Sequence, residues 1–335
     1  MEGETEALLK VSAISSAFMA FSRFSAAKFP PGFCRLLSLL PVISALFFLP
    51  LCFSSVHLRG ISGFFLCWLA VFKLLLLSFA AGPLSPSLPF HYFLPLALLP
   101  VNLRPAANRR KPLHLLHTAV KAVLFCTLLS FYSYRERFPF FLLVLLYCCH
   151  IYLSLELLLA AAAFLAGGVL GLHLEPQFDA PYRSTSLQDF WGRRWNLMVT
   201  AVLRPSVYNP VRRRWGAAAG VLATFLVSGV MHELMYFYMT LALPTGEVLC
   251  FFLLHGLCTL VEMRVKKAAG GRQWRLHPAP AATATLVFVA ATAFWLFFPP
   301  LLRNGTDQRA LEELEAMIGF LKGSSDAILG SFGLL

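Results

Sequence analysis

His232 is the residue of this 335-residue chain whose surroundings best suit proton-transfer chemistry. In WGAAAGVLATFLVSGVMHELMYFYMT the positions Gly220, Thr224, Ser228, His232, Tyr236 and Thr240 recur every four residues. Small and hydroxyl side chains therefore form a slowly winding stripe on either side of the imidazole. Such a stripe serves two ends equally, lining a tunnel or letting neighbouring helices pack closely. At ~1.5 Å per residue, His232 lies roughly 25 Å along the helix from Trp215. At that depth water is scarce and a neutral imidazole is expected, which beside a hydroxyl is a competent general base.

A second group of candidates sits in Pro176 to Arg214, the longest polar and basic stretch between apolar runs. Ser186-Leu187-Gln188-Asp189 reads as a capping box, and Asp189 and Arg193 are spaced for an i,i+4 pair. Trp191 and Trp195 fall on one face of the same short helix, as interfacial anchors do. Arg193, Arg194, Arg204, Arg212, Arg213 and Arg214 offer forked donors for phosphate, and positive-inside anchoring explains the triple arginine equally well. Asn196, on a face entering Leu197-Met198-Val199, reads by itself as a helix-packing amide. The remaining ionisable residues of the apolar runs have structural readings. Lys73 and Lys121 can snorkel or pair with Glu156 or Glu262, His114 and His117 sit at a span end near Lys111, and His255 and Glu262 share a helix face. His150 and Glu233 complete the set of residues costly to place in hydrocarbon.

The elements that must hold these side chains are membrane helices. Hydrophobic residues make up 58% of the chain and charged residues 13%, with a mean hydropathy of +0.71, far from soluble composition. A net charge of +12 spread over short connections points to an anionic membrane surface or substrate and away from nucleic acid. Since a span needs about 20 apolar residues, eight are expected at roughly 8–22, 36–54, 61–80, 113–132, 139–171, 215–242, 246–263 and 280–301. The first is short and rich in Ser and Ala, and Gly167, Gly168 and Gly171 mark where the overlong fifth stops. The proline-broken stretch from Pro86 to Pro100 suits a re-entrant or interfacial segment.

Alternate connections carry nineteen Lys and Arg against three, which places the basic loops in the cytosol and both termini on the far side. Among the nineteen are Arg104, Arg109, Arg110, Lys111, Arg272 and Arg275. The sequon at Asn304 then faces the lumen close to the last span. The acidic start MEGETEALLK reads as a retained first segment. Eight cysteines without a CxxC pair are expected to pack in the apolar runs, with no disulfide framework or metal site. The tail TDQRALEELEAMIGFLKG reads as an amphipathic helix capped near Thr306 or Asp307 and lying on the membrane surface. The whole, 1–335, reads as one domain, with a cytosolic loop over 172–214 and the tail over 303–335.

The run PQFDAPYRSTSLQDFWGRRWNLMVTAVLRPSVYNPVRRR, followed by VSGVMHELMYFYMT and LLRNG, resembles the plant wax synthase family of long-chain-alcohol O-fatty-acyltransferases. These are relatives of the membrane-bound O-acyltransferases, and the resemblance covers most of the chain. It implies an all-α polytopic bundle of about eight transmembrane helices with re-entrant or interfacial helices. The superfamily's signature asparagine and histidine match Asn196 in DFWGRRWN and His232 in SGVMHELMYFY. The implied reaction is acyl transfer from acyl-CoA to a long-chain alcohol, with His232 as base, Asn196 orienting or stabilising the reacting groups, and acyl-CoA as co-substrate with no cofactor. Substrate contacts are expected from Gln188, Asp189, Trp191, Arg193, Arg194, Trp195 and Arg212 on the loop, and from Ser228, Glu233 and Tyr236 around His232. A sterol or diacylglycerol acceptor is the nearest alternative, and the family setting is the endoplasmic reticulum. A lipid transporter predicts paired halves or repeated broken helices, and neither is visible in the sequence.

Overall fold

The computed structural model describes residues 2–101, 114–170, 177–268 and 277–331. Among the described residues every regular element is helical, and eight helices are long and apolar enough to cross a bilayer. These spans are Gly3–Lys28, Phe33–Cys52, Val56–Ser78, Leu116–Arg137, Phe140–Gly168, Leu197–Thr240, Glu247–Ala268 and Pro278–Arg303. Large apolar side chains such as Phe141, Phe164, Val123 and Val261 stand on outer faces, as they do where the solvent is lipid and every backbone group is satisfied within a helix. The chain is thus an all-α, multi-pass membrane bundle of the predicted span number.

Several boundaries differ from expectation. The first span covers 26 residues, because its serines suit a helix. Ser16 Oγ donates to the Ser12 carbonyl at 2.8 Å, and Ser25 and Ser38 share a hydrogen bond across to the second span at 2.6 Å. The fifth helix runs through Gly167 and Gly168 to Leu170, while Gly171 lies outside the described residues, as do Pro176 and the six basic residues Arg104, Arg109, Arg110, Lys111, Arg272 and Arg275. The side chain of His114 lies outside them too. The eight cysteines are free thiols, but only Cys67 is buried; Cys34, Cys52, Cys126, Cys149 and Cys250 are exposed. A small apolar side chain is at ease against lipid, so burial was not required of it.

The third span is the most deeply enclosed. Lys73 on it neither snorkels nor pairs with a carboxylate. Its amine is wholly buried and donates to the carbonyls of Leu96 and Leu99, both at 2.7 Å. Those carbonyls close the short helix Phe90–Leu98 within the proline-broken stretch. The buried amine thus caps the C-terminal end of a helix, whose last carbonyls have no partner within it. Lys121 and Glu156 do form the predicted ion pair, linking the fourth span to the fifth.

The sixth and seventh spans cross at glycines. A Cβ on Gly229 would lie 2.7 Å from Leu249 Cδ1, and one on Gly256 would lie 3.0 Å from Phe225 Cβ. Close backbone approach of this kind is how small residues hold membrane helices together. The sixth span was expected over 215–242, but helix already begins at Leu197 and the path breaks at Gly216, with φ 88° and ψ 171°. The expected loop 172–214 is therefore largely helical after Asn196. Gly216 takes the left-handed turn without a Cβ penalty, and Arg212, Arg213 and Arg214 stand exposed just before it.

The tail helix Thr306–Ser331 begins at the predicted position, but its first turns dock on the bundle. Glu313 accepts hydrogen bonds from Ser55 Oγ, Val56 N and His57 N at the start of the third span, and bonds His57 Nδ1 at 2.8 Å. Asp307 accepts from the Tyr147 hydroxyl at 2.9 Å. A carboxylate on the orphan N–H groups of a helix start is a strong anchor.

Candidate active site

The lid over the site runs from Gln177 to Asn196. Ser186 caps its short helix as predicted, Oγ accepting from Asp189 N at 3.2 Å. The next turn, Phe190–Arg194, is π-helical, and that changes the predicted pairing. A wider turn carries Arg194 to Asp189, 2.7 Å away, and leaves Arg193 exposed. Arg194 also donates to the Asp179 carbonyl at 3.0 Å, so it holds the lid closed on itself. Trp191 and Trp195 do not share one helix face, because the π turn ends at Trp195, which is extended (φ −92°, ψ 127°). The Trp195 ring stacks on Phe190 at 5.2 Å, and both tryptophans line the interior.

Asn196 follows in the left-handed region, φ 38° and ψ 69°, and caps the helix Leu197–Leu203 by accepting from Val199 N at 3.3 Å. It is buried. Because Oδ1 serves the cap, the amide N–H groups are the part of Asn196 left to donate elsewhere.

Beneath the lid lies a cavity of about 970 Å³ that Asn196 and His232 both line. Ser228, Tyr236, Trp191, Trp195 and Gln188 line it as well. Its walls draw on all four π-helical segments found among the described residues, through Trp68, Trp191, Tyr208 and Phe297. Insertions of this kind re-aim side chains and cluster at functional sites. The far end reaches Asp307 and Leu314 of the tail helix.

His232 is held on three sides. Nδ1 lies 2.7 Å from the Ser228 carbonyl, and a carbonyl only accepts, so Nδ1 carries a proton and Nε2 is the basic nitrogen of the neutral ring. The Trp68 ring meets it edge-on at 4.8 Å, and Phe252 stacks on it at 4.2 Å. Tyr236 spends its hydroxyl on the Phe297 carbonyl at 2.6 Å, which makes it a wall residue. In the stripe, Thr224 and Thr240 donate to carbonyls four residues back, at 2.8 Å each, so their hydroxyls are spent within the helix.

Five expected contacts, Asp189, Arg193, Arg194, Arg212 and Glu233, do not line the cavity. Glu233 faces the other side of its helix and accepts from Leu249 N at 3.0 Å, capping the seventh span. Arg212 stands over the Tyr208 ring at 5.9 Å instead. Asp189, Arg193 and Arg194 line a separate polar recess with Lys266, and Gln188 lines both spaces. Lys266, Trp68, Phe252 and Phe297 were missed as site residues, whereas Arg204, read as a phosphate donor, lines the cavity. No periodicity marks the aromatic residues, whose approach to His232 is between helices.

The cavity is largely apolar, lies under a basic lid and carries His232, His150, His57, Asn196 and Gln188 among its polar lining, a composition that suits lipid-like substrates. Residues 174–254, which contain both Asn196 and His232, match the membrane bound O-acyl transferase family. The chain is 44% identical to a long-chain-alcohol O-fatty-acyltransferase of Simmondsia chinensis over 96% of both chains. It is 42% identical to "Probable long-chain-alcohol O-fatty-acyltransferase 1" of Arabidopsis thaliana, over 96% of this chain and 98% of the relative. An acyl-CoA–sterol O-acyltransferase of Arabidopsis thaliana is 40% identical over 90% and 92% of the two chains. The chain belongs to the plant long-chain-alcohol O-fatty-acyltransferase, or wax synthase, family of membrane-bound O-acyltransferases.

Proposed function

We infer that this protein transfers an acyl chain from acyl-CoA to a long-chain primary alcohol, forming a wax ester and free CoA in the membrane of the endoplasmic reticulum. The observation that carries the reading is the tautomer of His232. With Nδ1 donating to Ser228, Nε2 is available as a base on the cavity that Asn196 shares. Nε2 takes the proton of the alcohol hydroxyl as its oxygen attacks the thioester carbonyl carbon. Asn196 donates to the carbonyl oxygen as charge develops there. The C–S bond then breaks, and the imidazolium returns its proton to the departing CoA thiolate. No covalent acyl-enzyme and no cofactor are required.

The surroundings support this assignment. Apolar walls suit two hydrocarbon chains and keep water from the thioester. Arg193 and Lys266, at the recess that adjoins the cavity through Gln188, suit the phosphates of CoA. A sterol acceptor is the second reading, favoured by the similarity to the sterol acyltransferase. Membranes containing the protein, given labelled acyl-CoA with fatty alcohol, sterol and diacylglycerol in competition, separate the two. Wax ester is the expected main product, and a predominance of sterol ester would overturn it.

A further inference from the structure

We propose that His255, a buried histidine that the reaction does not use, is a positioning residue that locks the lid in its working register through Trp191. This rests on the acyltransferase reading above.

His255 is wholly buried on the seventh span. Trp191 Nε1 donates to His255 Nδ1 at 3.0 Å. An indole N–H only donates, so Nδ1 is the acceptor and the ring proton sits on Nε2. Nε2 in turn lies 2.8 Å from Thr292 Oγ1 on the eighth span, and the Thr292 hydroxyl donates onward to the Phe288 carbonyl at 2.8 Å. The relay ends there, with every proton assigned. His255 thus holds the tautomer opposite to that of His232, and its lone pair is occupied, so it is not a second base.

Its position couples the lid to the reacting centre. Trp191 lies in the π turn five residues before Asn196. Its ring packs against Phe252 at 5.6 Å, the same Phe252 that stacks on His232. A second tie, from Leu187 N to Glu262 Oε2 at 2.9 Å, joins the lid to the same span two turns further on. The lid carries Asn196 and the seventh span carries the ring that backs His232. Of these two ties, the Trp191–His255 bond is the one made by a ring that also packs on Phe252, and so sets one against the other.

Two amide substitutions divide the relay. In His255→Asn, Oδ1 takes the place of Nδ1 and keeps the Trp191 bond; in His255→Gln, the amide N–H takes the place of Nε2 and keeps the Thr292 bond. Each loses one hydrogen bond, so both should lose similar thermal stability. Activity should separate them. His255→Asn is expected to keep kcat within about threefold, while His255→Gln and His255→Leu fall by about tenfold or more, with KM for acyl-CoA changed much less. Trp191→Phe should match His255→Leu, and the double variant should be no worse than either.

The bond is also read without turnover, from the indole N–H resonance of Trp191 in nanodisc-embedded protein, assigned by its loss in Trp191→Phe. It should stay in place in His255→Asn and move in His255→Gln. Equal activity of the two amide variants, or an indole resonance unmoved in His255→Gln, overturns the proposal. If the wild-type protein acylates none of the alcohol, sterol or diacylglycerol acceptors, the acyltransferase reading fails, and the indole resonance still decides whether His255 holds the lid.

Discussion

Phe252 of the seventh span lies nearly parallel to the His232 ring, 27° between planes and 4.2 Å between centroids. With Trp68 edge-on at 84° and the Ser228 carbonyl on Nδ1, the imidazole has one orientation. Preorganisation of this kind removes the entropy of finding the reactive geometry during each turnover.

Replacing His232 by Ala should leave the protein in the membrane at normal level and lower ester synthesis by about 10²–10⁴-fold. Labelled-ester formation per mole of folded enzyme measures it. Near-normal turnover would remove His232 from the role of base.

Asn196 combines a left-handed backbone, a helix cap and a cavity-facing position. Asn196→Gly keeps the backbone conformation and, at a cap, is expected to cost only a few tenths of a kcal/mol, so its melting temperature should stay close to wild type while activity collapses. Asn196→Ala should lose both. Activity retained in the glycine variant would reduce Asn196 to a cap.

At the crossing of the sixth and seventh spans, Gly229→Ala places a methyl group 3.1 Å from the Leu249 Cα, which is backbone and cannot turn aside. Overpacking of this type costs about 1–3 kcal/mol. A lowered midpoint of thermal unfolding in detergent is expected, and an unchanged midpoint would show that the helices separate freely there.

Glu313 makes stability depend on pH. Burial raises its pKa, but the hydrogen bonds from Val56, His57 and Ser55 outweigh burial and hold it below the usual glutamate value of 4.5. A carboxylate with a depressed folded-state pKa contributes its full stabilisation above the unfolded value. That stabilisation is lost as pH falls through the depressed one. Thermal stability of the wild type should therefore drop as pH falls below about 4.5. Glu313→Gln should start lower at neutral pH and show a shallower fall. Parallel curves for the two proteins would exclude the contact as a source of acid sensitivity.

Much of this protein follows from sequence alone, because the bilayer imposes strong local rules. Apolar length was enough for eight spans, one-turn spacing was enough to place Ser228 a turn behind His232, and the Ser186 cap was legible in four residues. Local rules misled where an element departed from regular geometry. The π turn at Phe190–Arg194 gave Asp189 to Arg194 in place of Arg193, and the break at Gly216 let helix begin at Leu197, well before the expected span. Contacts between elements distant in sequence were decided by the tertiary structure. Lys73 caps a helix 23 residues away, Glu233 turns aside to cap another, and Asn196 meets the His232 cavity because the lid folds back over the sixth span. Periodicity determines which face a side chain takes, whereas its partner depends on how helices pack, and a single sequence carries no local record of that.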